Sequence, residues 1–539
     1  MTTLVSSTDT LTRDALAVLQ PGFVGTTAPD WLLRAIGDGL TSVGLFGRNV
    51  ADPEQLAALT GRLRRERDDI LVAIDEEGGD VTRLEVRHGS SFPGNYALGA
   101  VDDPGLTRDV ARELGRRLAA CGVNLNWAPS ADVNSNPDNP VIGVRSFGAD
   151  PELAARHTAA YVEGLQAAGV AACVKHFPGH GDTAVDSHHA LPRIDVDLDT
   201  LHARELLPFR AAIAAGSRSV MSAHILLPAL DPERPATLSP RILTGLLREE
   251  LGFQGPIVTD GMEMQAIASV YGIERGSVLA IAAGADAICV GGGLADEGTV
   301  LRLRDALVAA VRNGELPEER LADAAARVRA LADWTLRARV SPGPGTPGAA
   351  TQEGTAPGTA SGAGAAASGA APGVVPTPDI GLLAARRALR VTGTATPLTR
   401  APYVAVLTPV ANIAVGEETP WGLATELNHL LPGTQTATYA EAPPEDTSTP
   451  TPTTPTPDPA TRILTAAGDR TTVAVVRDAH RHPWMRATLD ALLTARPDTL
   501  VVEMGLNEAP PSGALHIATH GAARVCARAA AEVIAGRVR

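Results

Sequence analysis

The chain of 539 residues carries a formal net charge of −15 at pH 7, and 44% of its residues are hydrophobic. This hydrophobic content is enough to build packed cores, and the length suggests two or three domains. The acidic balance disfavours non-specific binding to nucleic acid and offers no basic patch for an anionic membrane surface.

The first ten residues are polar, without a basic start and an apolar core, so no secretory signal is expected. No apolar run approaches the roughly 18 residues that a membrane-spanning helix needs. The sequence therefore predicts a cytoplasmic protein. Four cysteines lie far apart in apolar runs and are expected to be buried free thiols. They are Cys121, Cys173, Cys289 and Cys526.

Residues 1–340 alternate short apolar strands with helical stretches, which is typical of a (β/α)8 barrel like that of triosephosphate isomerase, a TIM-like barrel. The pattern indicates seven strands, and the eighth is not evident. The predicted strands are Ser42–Phe46, Ile70–Asp75, Val123–Ala128, Ala172–Phe177, Ser219–His224, Pro256–Asp260 and Ala285–Val290.

Four of these strands end in polar residues, which are Asp75, Lys175 with His176, His224 and Asp260. Parallel barrel strands bring their carboxyl ends to one rim, where barrel enzymes carry their chemistry. Polar residues also mark places where strands simply meet water, but four such endings favour an active site. Lys175 is the only lysine among the 46 Lys and Arg residues, which hints at a position that arginine does not fill.

A segment rich in His and Asp, Lys175–His189, follows the fourth predicted strand. Pro178 and Gly179 disfavour a helix there, so the segment is predicted to be a long exposed loop. His176 and His180 are four residues apart, the spacing of a zinc-binding helix. The intervening Pro-Gly breaks that geometry, and no metal site is predicted.

Two features suit glycoside chemistry, one within this segment and the other at the end of the sixth predicted strand. In an extended backbone Asp186 and His188 point the same way, and a carboxylate beside an imidazole gives an acid/base group that works near neutral pH. Asp260 ends its strand, and Gly261 lets the chain turn at once. A carboxylate fixed at a barrel rim suits a covalent nucleophile, although Asp is also a favoured helix N-cap residue.

Four stretches resemble glycoside hydrolase family 3, specifically its bacterial β-N-acetylglucosaminidase branch. The resemblance implies a TIM-like barrel followed by a smaller α/β sandwich domain. It implies that Asp260 is the nucleophile and that His188, steered by Asp186, is the acid/base, with no metal or organic cofactor. The stretches are I-D-E-E-G-G at 74–79, N-P-V-I-G-V-R-S-F-G at 139–148, K-H-F-P-G-H-G-D-T-x-x-D-S-H at 175–188 and T-D at 259–260.

The resemblance also implies a substrate and a reaction. The implied reaction is retaining hydrolysis of terminal β-linked N-acetylglucosamine from cell-wall muropeptides or chitin-type oligosaccharides. The partner is a small carbohydrate, with no nucleic acid or membrane, and the oligomeric state stays open. Five residues are implied to hold the sugar hydroxyls and the acetamido region. They are Asp75, Arg83, Arg145, Lys175 and His176.

Several alternatives remain open at this point. Some members of the branch resemble phosphorylases that release a sugar 1-phosphate. β-Glucosidase and β-xylosidase activities are alternatives, but the glucosidase branch usually has Trp where Gly261 stands. A non-catalytic sugar-binding protein would be expected to lack a catalytic residue, whereas Asp260, Asp186 and His188 are all present.

The remainder of the chain is divided by composition. Residues 341–378 are almost entirely Pro, Gly, Ala, Ser and Thr and predict a disordered linker. Residues 379–539 predict a small α/β domain with a packing or rim-shaping role and a disordered Pro- and Thr-rich loop near 442–461. Glu503 ends a strand there and is a weak candidate for a second-domain acid, because the Asp186–His188 pair already fills that role.

Two residues depart from the family pattern. Glu76 and Asp80 stand where members often carry Gln and Arg, respectively. Asp80 is expected to add negative charge near Asp75, which brings the subsite preference into question more than the chemistry.

Overall fold

The computed structural model describes residues 7–186, 191–294, 296–340, 379–409, 419–441 and 457–537. The predicted linker 341–378, His188 and the part 442–456 of the predicted loop lie outside the described residues, so these predictions stay open. The last residues of that loop were predicted wrongly, because Asp458 caps a helix that begins at Pro459.

Eight parallel strands close into a barrel. Strands β2 to β7 pair in chain order, and β8 pairs with β1. A bridge between Val258 and Ala287 joins β7 to β8, and Gln20 on β1 donates through Nε2 to Ser42 Oγ on β2 at 2.5 Å. The strands are β1 (Leu19–Pro21), β2 (Ser42–Leu45), β3 (Leu71–Ile74), β4 (Leu125–Asn126), β5 (Ala171–Phe177), β6 (Ser219–Ser222), β7 (Ile257–Thr259) and β8 (Ile288–Val290).

The barrel fold predicted from the sequence is confirmed, and each of the seven predicted strands overlaps an observed one. The missing eighth strand is β1. It has only three residues and ends in proline, which cannot donate a backbone hydrogen bond, so its sequence carries little strand signal.

Alternate residues of the strands face the barrel interior. On β3, Leu71 and Ala73 pack in an inner cluster with Trp127 and Cys289, while Val72 and Ile74 pack outward against the helices. This alternation follows from the two-residue period of a strand. The barrel is therefore filled with side chains and presents its chemistry only at the rim.

Helices surround the barrel. Three of them, α3, α5 and α6, begin with an Asp-Pro pair in which the aspartate side chain accepts a backbone N–H of the first turn. Aspartate is a strong N-cap and proline suits the first helical position, so the sequence fixes these starts. The helices are α1 (Ser7–Ala17), α2 (Asp30–Asp38), α3 (Pro53–Glu66), α4 (Asn95–Val101), α5 (Pro104–Ala120), α6 (Pro151–Ala167), α7 (Leu198–Thr200), α8 (Leu206–Ala214), α9 (Gln265–Tyr271), α10 (Ile273–Ala283), α11 (Glu297–Arg312) and α12 (Glu318–Val340), with π-helical turns at Leu201–Glu205 and Arg241–Glu250.

The second domain is a six-stranded sheet between two layers of helices. Its strand order is β11-β10-β12-β13-β14-β9, parallel except for β9. Along β10, Val404 and Val406 face one apolar cluster while Ala405 and Leu407 face another, so both faces of the sheet are covered. The elements are β9 (Arg390–Gly393), β10 (Tyr403–Leu407), β11 (Gln435–Tyr439), β12 (Thr472–Val476), β13 (Leu500–Glu503), β14 (Leu515–Ala518), α13 (Ile380–Ala388), α14 (Ala424–Leu430), α15 (Pro459–Ala467), α16 (Pro483–Ala495) and α17 (Arg524–Ile534).

All four cysteines are buried and free, as predicted. Among the described residues, no single helix is long and apolar enough to cross a membrane. Helices α9 and α10, bent by 105° at their junction, meet the criteria of length and composition only as a pair.

Candidate active site

Three of the predicted site residues lie at the carboxyl-terminal rim of the barrel. Asp75 and Lys175 continue the inward-facing alternation of β3 and β5, and Asp260 continues that of β7. Lys175 Nζ lies 2.5 Å from Asp75 Oδ1 and 2.7 Å from Glu77 Oε1. The lysine side chain is 3% exposed and that of Asp75 is 19% exposed. The lysine thus holds Asp75 in place while Asp75 remains open to the cleft.

A buried ionic network fixes this group. Arg145 donates to both carboxylate oxygens of Glu77, through Nη2 at 2.6 Å and Nε at 3.0 Å. Burial alone would raise the pKa of Glu77, but the charges of Arg145 and Lys175 hold it well below its usual range. Glu77 therefore stays ionised and pairs with both cations, while Asp75 supplies the second negative charge of the network. Such a bidentate pair is rigid, because the guanidinium fork and the carboxylate are both planar.

His176 has a buried carboxylate partner. Its Nδ1 lies 2.7 Å from Asp132 Oδ2, and Asp132 Oδ1 accepts the backbone N–H of His180 at 2.7 Å. Asp132 is fully buried; burial would raise its pKa, but the charges of the two histidines lower it overall. The carboxylate fixes the ring of His176, whose Nε2 lies 3.4 Å from Arg145 Nη2.

The prediction of an exposed loop from Lys175 onward is wrong for its first part. Residues 175–181 are buried, and β5 extends through Phe177. The segment packs inward because Asn139 Nδ2 donates to the carbonyl oxygens of His180 and Gly181 at 2.9 and 3.0 Å. A β-carbon at Gly181 would lie 1.7 Å from the carbonyl oxygen of Val133, so only glycine fits there. Exposure begins at residues 184 and 185, just before Asp186.

Asp260 is half-buried at the end of β7. Its Oδ1 accepts the backbone N–H of Gly261 at 2.8 Å. The next helix, α9, begins five residues later and is preceded by Met264, so Asp260 is not a helix N-cap. The alternative structural role for this carboxylate is thereby excluded. His224 supports the turn, with Nε2 3.0 Å from the carbonyl oxygen of Gly261.

Two buried thiols beneath the rim, Cys173 and Cys289, are affected by the charges of both Asp75 and Asp260. Burial, with a smaller contribution from the charges of Asp75 and Asp260, raises the pKa of the Cys173 thiol to about 12. Cys289, on β8, feels both charges as well. The two carboxylates therefore act on the same interior layer of the barrel.

Arg83 joins the group through Asp75. Its Nη2 lies 3.3 Å from Asp75 Oδ2. The backbone of the arginine is held by Glu76, whose Oε2 accepts the N–H groups of Arg83 and Leu84 at 2.7 and 2.8 Å. Burial raises the pKa of Glu76 to about 7. Glu76 thus positions the Arg83 loop and does not face the cleft.

The second domain contacts the rim through Asp80. Asp80 pairs with Arg477, and its Oδ1 accepts the N–H of Ala522 at 2.8 Å. This carboxylate is buried, so it serves the domain interface. The negative charge of Asp80 is thus paired with a cation, and its effect on the subsite preference stays a prediction.

Glu503 also has a structural role. Its carboxylate accepts backbone N–H groups from Asp478, Ala479 and Gly505 at 2.8, 3.2 and 2.8 Å. Burial, with the nearby charge of Asp478, raises its pKa to about 7. Glu503 holds the loop after β12, which carries Arg477 and Arg481, and its engaged oxygens do not favour the role of a second-domain acid.

The structure brings together Asp75, Arg83, Arg145, Lys175 and His176, and it places Asp260 at the same rim. Asp186 lines a cleft between the two domains, whereas His188 lies outside the described residues. Sequence reasoning missed Glu77 and Asp132. Glu77 could have been suspected, because the lone lysine of a buried strand needs a carboxylate. Within the described residues, no group of three or more His, Cys, Asp or Glu side chains is arranged to hold a metal ion.

Comparison of the sequence with models of known protein families identifies the family of this chain. The family model for the glycosyl hydrolase family 3 N-terminal domain matches residues 34–331. The chain belongs to glycosyl hydrolase family 3. β-Hexosaminidase A from Pseudoalteromonas piscicida is 38% identical over 312 residues, which are 53% of this chain and 52% of that protein. The match thus spans about half the length of that relative.

Two solved structures are similar. The family 3 β-N-acetylglucosaminidase from Paenibacillus sp. strain FPU-7 is 34% identical with a TM-score of 0.79, over 98% of this chain and 97% of that one. NagZ from Neisseria gonorrhoeae, solved with N-trifluoroacetyl-D-glucosamine, is 31% identical with a TM-score of 0.50, over 58% of this chain and 89% of that one. The predicted family and the two-domain architecture are confirmed.

Proposed function

We propose that this family 3 protein is a retaining β-N-acetylhexosaminidase that hydrolyses terminal β-linked N-acetylglucosamine, with cell-wall muropeptides or chitin-type oligosaccharides as its source. The observation that carries the proposal is the rim itself. A half-buried Asp260, which caps no helix, stands in the same barrel mouth as the fixed Asp75–Lys175 pair. The similarity to β-hexosaminidases and to a β-N-acetylglucosaminidase supports the sugar.

The rim suits sugar recognition because its charges are already arranged. Asp75 keeps part of its carboxylate exposed while Lys175 Nζ holds one oxygen at 2.5 Å. Hydroxyl groups of a pyranose can donate to such a carboxylate and accept from neighbouring cations such as Arg83. Charge-assisted hydrogen bonds of this kind are strong, and they can tighten as charge develops on the ring in the transition state.

The proposed reaction has two inversions. The Asp260 carboxylate attacks the anomeric carbon while protonated His188 gives its proton to the leaving oxygen, which forms an α-linked glycosyl ester. Neutral His188 then removes a proton from water, which attacks the same carbon and frees Asp260. The product keeps the β configuration. Asp186, two residues before His188, steers the imidazole, as a carboxylate partner does in other acid/base histidines.

Hydrolysis of p-nitrophenyl β-N-acetylglucosaminide tests the proposal. Asp260→Ala is expected to lose activity by at least ~10²-fold, and His188→Ala by ~10²–10⁴-fold, the usual contribution of a general acid/base. His189→Ala is the matched control, because it removes the neighbouring histidine, and it is expected to keep most of the activity.

Two results would contradict the proposal. One is a wild-type protein that cleaves the p-nitrophenyl glucoside faster than the N-acetylglucosaminide. The other is an Asp260→Ala variant as fast as wild type. The same assay with inorganic phosphate separates the reactions, since a phosphate-dependent sugar 1-phosphate would make the enzyme a phosphorylase.

A further inference from the structure

A carboxylate that no step of the proposed reaction uses lies beneath the His-rich segment. The side chain of Glu205 is 1% exposed, and the residue ends the π-helical turn Leu201–Glu205, which leads directly into α8. Turns of this kind are rare and often occur at functional sites. Glu205 Oε2 is buried and has no hydrogen-bond partner among the described residues. A buried carboxylate with an unbonded oxygen is destabilising, so its presence here favours a functional role.

The carboxylate of Glu205 packs against the backbone of the segment. A β-carbon at Gly179 would lie 2.7 Å from Glu205 Oε2 and 2.9 Å from Glu205 Cβ. Gly179 also has a φ of +128°, which residues with a side chain rarely adopt. Glycine is therefore required at this position for two reasons, and the chain between His176 and His180 rests directly on Glu205.

Arg204 connects this buried carboxylate to the segment. Its Nε donates to Glu205 Oε1 at 2.6 Å, and its Nη2 donates to Asp182 Oδ2, also at 2.6 Å. The side chains of Arg204 and Asp182 are 25% and 32% exposed. An exposed ion pair holds a chain weakly, because two side chains must be ordered for one contact. Here Glu205 already orders the guanidinium from its buried side, so the contact with Asp182 restrains the segment more strongly.

A short turn extends this restraint from Asp182 toward Asp186. Thr183 is buried, and its Oγ1 accepts the backbone N–H of Val185 at 3.0 Å. The chain between Asp182 and Val185 is thus closed by a local side-chain hydrogen bond. Asp186 follows at once and lines the cleft between the two domains. The position of Asp186 therefore depends on where Asp182 is held.

The charges around Glu205 agree with this arrangement. Burial raises the pKa of Glu205 to about 7, against the opposing charge of Arg204. The charges of Asp132 and Asp182 make smaller contributions in the same direction as burial. Glu205 is thus within electrostatic reach of Asp132, which fixes the ring of His176, and of Asp182. Strongly shifted pKa values of this kind cluster at functional sites.

We propose that Arg204, held by Glu205, is a positioning residue for the general acid/base. By fixing Asp182, it determines where the segment that follows presents Asp186 and His188 to the glycosidic oxygen. Arg204 acts through Asp182 and is not itself a catalytic residue. This inference rests on the proposed function, because it concerns the acid/base of the same reaction.

The test uses two substrates that differ in their need for a proton. Departure of phenol from phenyl β-N-acetylglucosaminide needs general acid catalysis, whereas 2,4-dinitrophenolate leaves the corresponding glycoside without it. The values of kcat/KM report this step, because they cover the reaction up to the first bond cleavage. Arg204→Gln is expected to lower kcat/KM about 10-fold or more for the phenyl substrate, a part of the ~10²–10⁴-fold that a general acid contributes, and less than about 2-fold for the dinitrophenyl substrate.

Azide gives a second readout, which reports the base. Breakdown of the glycosyl-enzyme needs His188 to remove a proton from water, whereas the azide anion attacks without such help. Azide forms a bond to the anomeric carbon as the bond to Asp260 breaks, which gives a β-glycosyl azide. With the dinitrophenyl substrate, azide should raise kcat of Arg204→Gln several-fold and leave kcat of the wild type nearly unchanged. Arg204→Lys keeps a cation and should recover part of the loss.

Matched variants separate this effect from general destabilisation. Arg210→Gln removes an exposed arginine from α8 and should leave both kcat/KM values unchanged. Asp182→Asn breaks the same contact from the other side and should reproduce the selective loss on the phenyl substrate. Asp182 is only half-buried, so this variant is expected to fold and keeps the test decisive even where Arg204→Gln does not fold.

The outcomes distinguish this inference from the function on which it rests. An equal loss on both substrates, or no loss on either, in Arg204→Gln and Asp182→Asn would overturn the inference. His188→Ala is the reference for the acid/base. A selective loss on the phenyl substrate in His188→Ala, with none in the other two variants, would overturn the inference alone. No selective loss even in His188→Ala would overturn the acid/base assignment of the proposed function as well.

Discussion

Replacing Glu76 by glutamine is expected to stabilise the protein at alkaline pH. Glu76 is buried at 2% exposure, and burial raises its pKa from 4.5 to about 7. Below about pH 4.5 the carboxyl is protonated in both the folded and the unfolded chain. As the pH rises from 4.5 to about 7, the unfolded chain releases this proton first, so the free energy of unfolding falls.

The size of this destabilisation follows from the difference between the pKa of Glu76 in the folded and the unfolded chain. Each factor of ten in proton affinity corresponds to about 1.4 kcal/mol, so ionised Glu76 costs about 3 kcal/mol above pH 7. Glutamine has nearly the same shape, and its carbonyl oxygen can accept the N–H groups of Arg83 and Leu84 as Glu76 Oε2 does. It keeps these bonds without a buried charge.

Thermal unfolding of wild type and Glu76→Gln, followed by circular dichroism at pH 5 and pH 8, measures this difference in stability. At about 2 °C per kcal/mol for a domain of this size, Glu76→Gln should raise Tm by about 6 °C at pH 8 and by much less at pH 5. Glu249→Gln, which removes an exposed carboxylate, is the control and should change neither value by more than about 1 °C. An equal shift at both pH values, or a lower Tm at pH 8, would refute the reasoning.

Three further substitutions test the ionic network and the domain interface. Lys175→Met removes the cation between two carboxylates, so kcat/KM should fall at least ~100-fold and the free energy of unfolding by about 3–5 kcal/mol in a urea titration. Unchanged kinetics would contradict its place in the site. Asp132→Asn removes the charged partner that fixes the ring of His176 and should lower kcat/KM at least ~10-fold, while Tm changes less. Arg477→Gln leaves Asp80 buried without its cation, so we expect a lower Tm and faster protease cleavage at the domain interface. Arg486→Gln, which removes an exposed arginine, is the control and should show neither effect.

Much of the barrel could be predicted from the sequence because short apolar strands alternate with helices. The rim was predictable for the same reason, since polar residues at strand ends such as Asp75 and Asp260 meet at one edge of a parallel barrel. The strand at Leu19–Pro21 was not predicted, because three residues that end in proline show almost no alternation of apolar and polar residues.

Burial of the His-rich segment could not be predicted from its composition. Pro178 and Gly179 indicate that the segment is not helical, but they do not indicate whether it is buried or exposed to solvent. Long-range contacts decide this: Asn139, about 40 residues upstream, binds the backbone of His180 and Gly181. The glycine there allows a close approach of two backbones, which a loop pattern does not reveal.

Sequence reasoning predicted a packing or rim-shaping role for the second domain, but it could not identify the residues at the contact between the domains. Arg481 is separated from Asn139 by more than 300 residues, yet the two residues touch. Only the docking of the domains brings them together, as it brings Asp80 to Arg477. Local pattern identifies residues that share a strand or a loop, whereas sites between domains depend on a packing that no local pattern encodes.

The central claim is that Asp260 forms a covalent bond to the sugar. Incubation with 5-fluoro-N-acetyl-β-glucosaminyl fluoride, which slows release of a glycosyl-enzyme, followed by intact mass and peptide analysis, tests it most directly. We predict one added fluorinated N-acetylglucosaminyl group per chain, on the peptide that contains Asp260, and none in Asp260→Ala. Sugar attached to another residue, or turnover with an inverted first product and no adduct, would contradict the account.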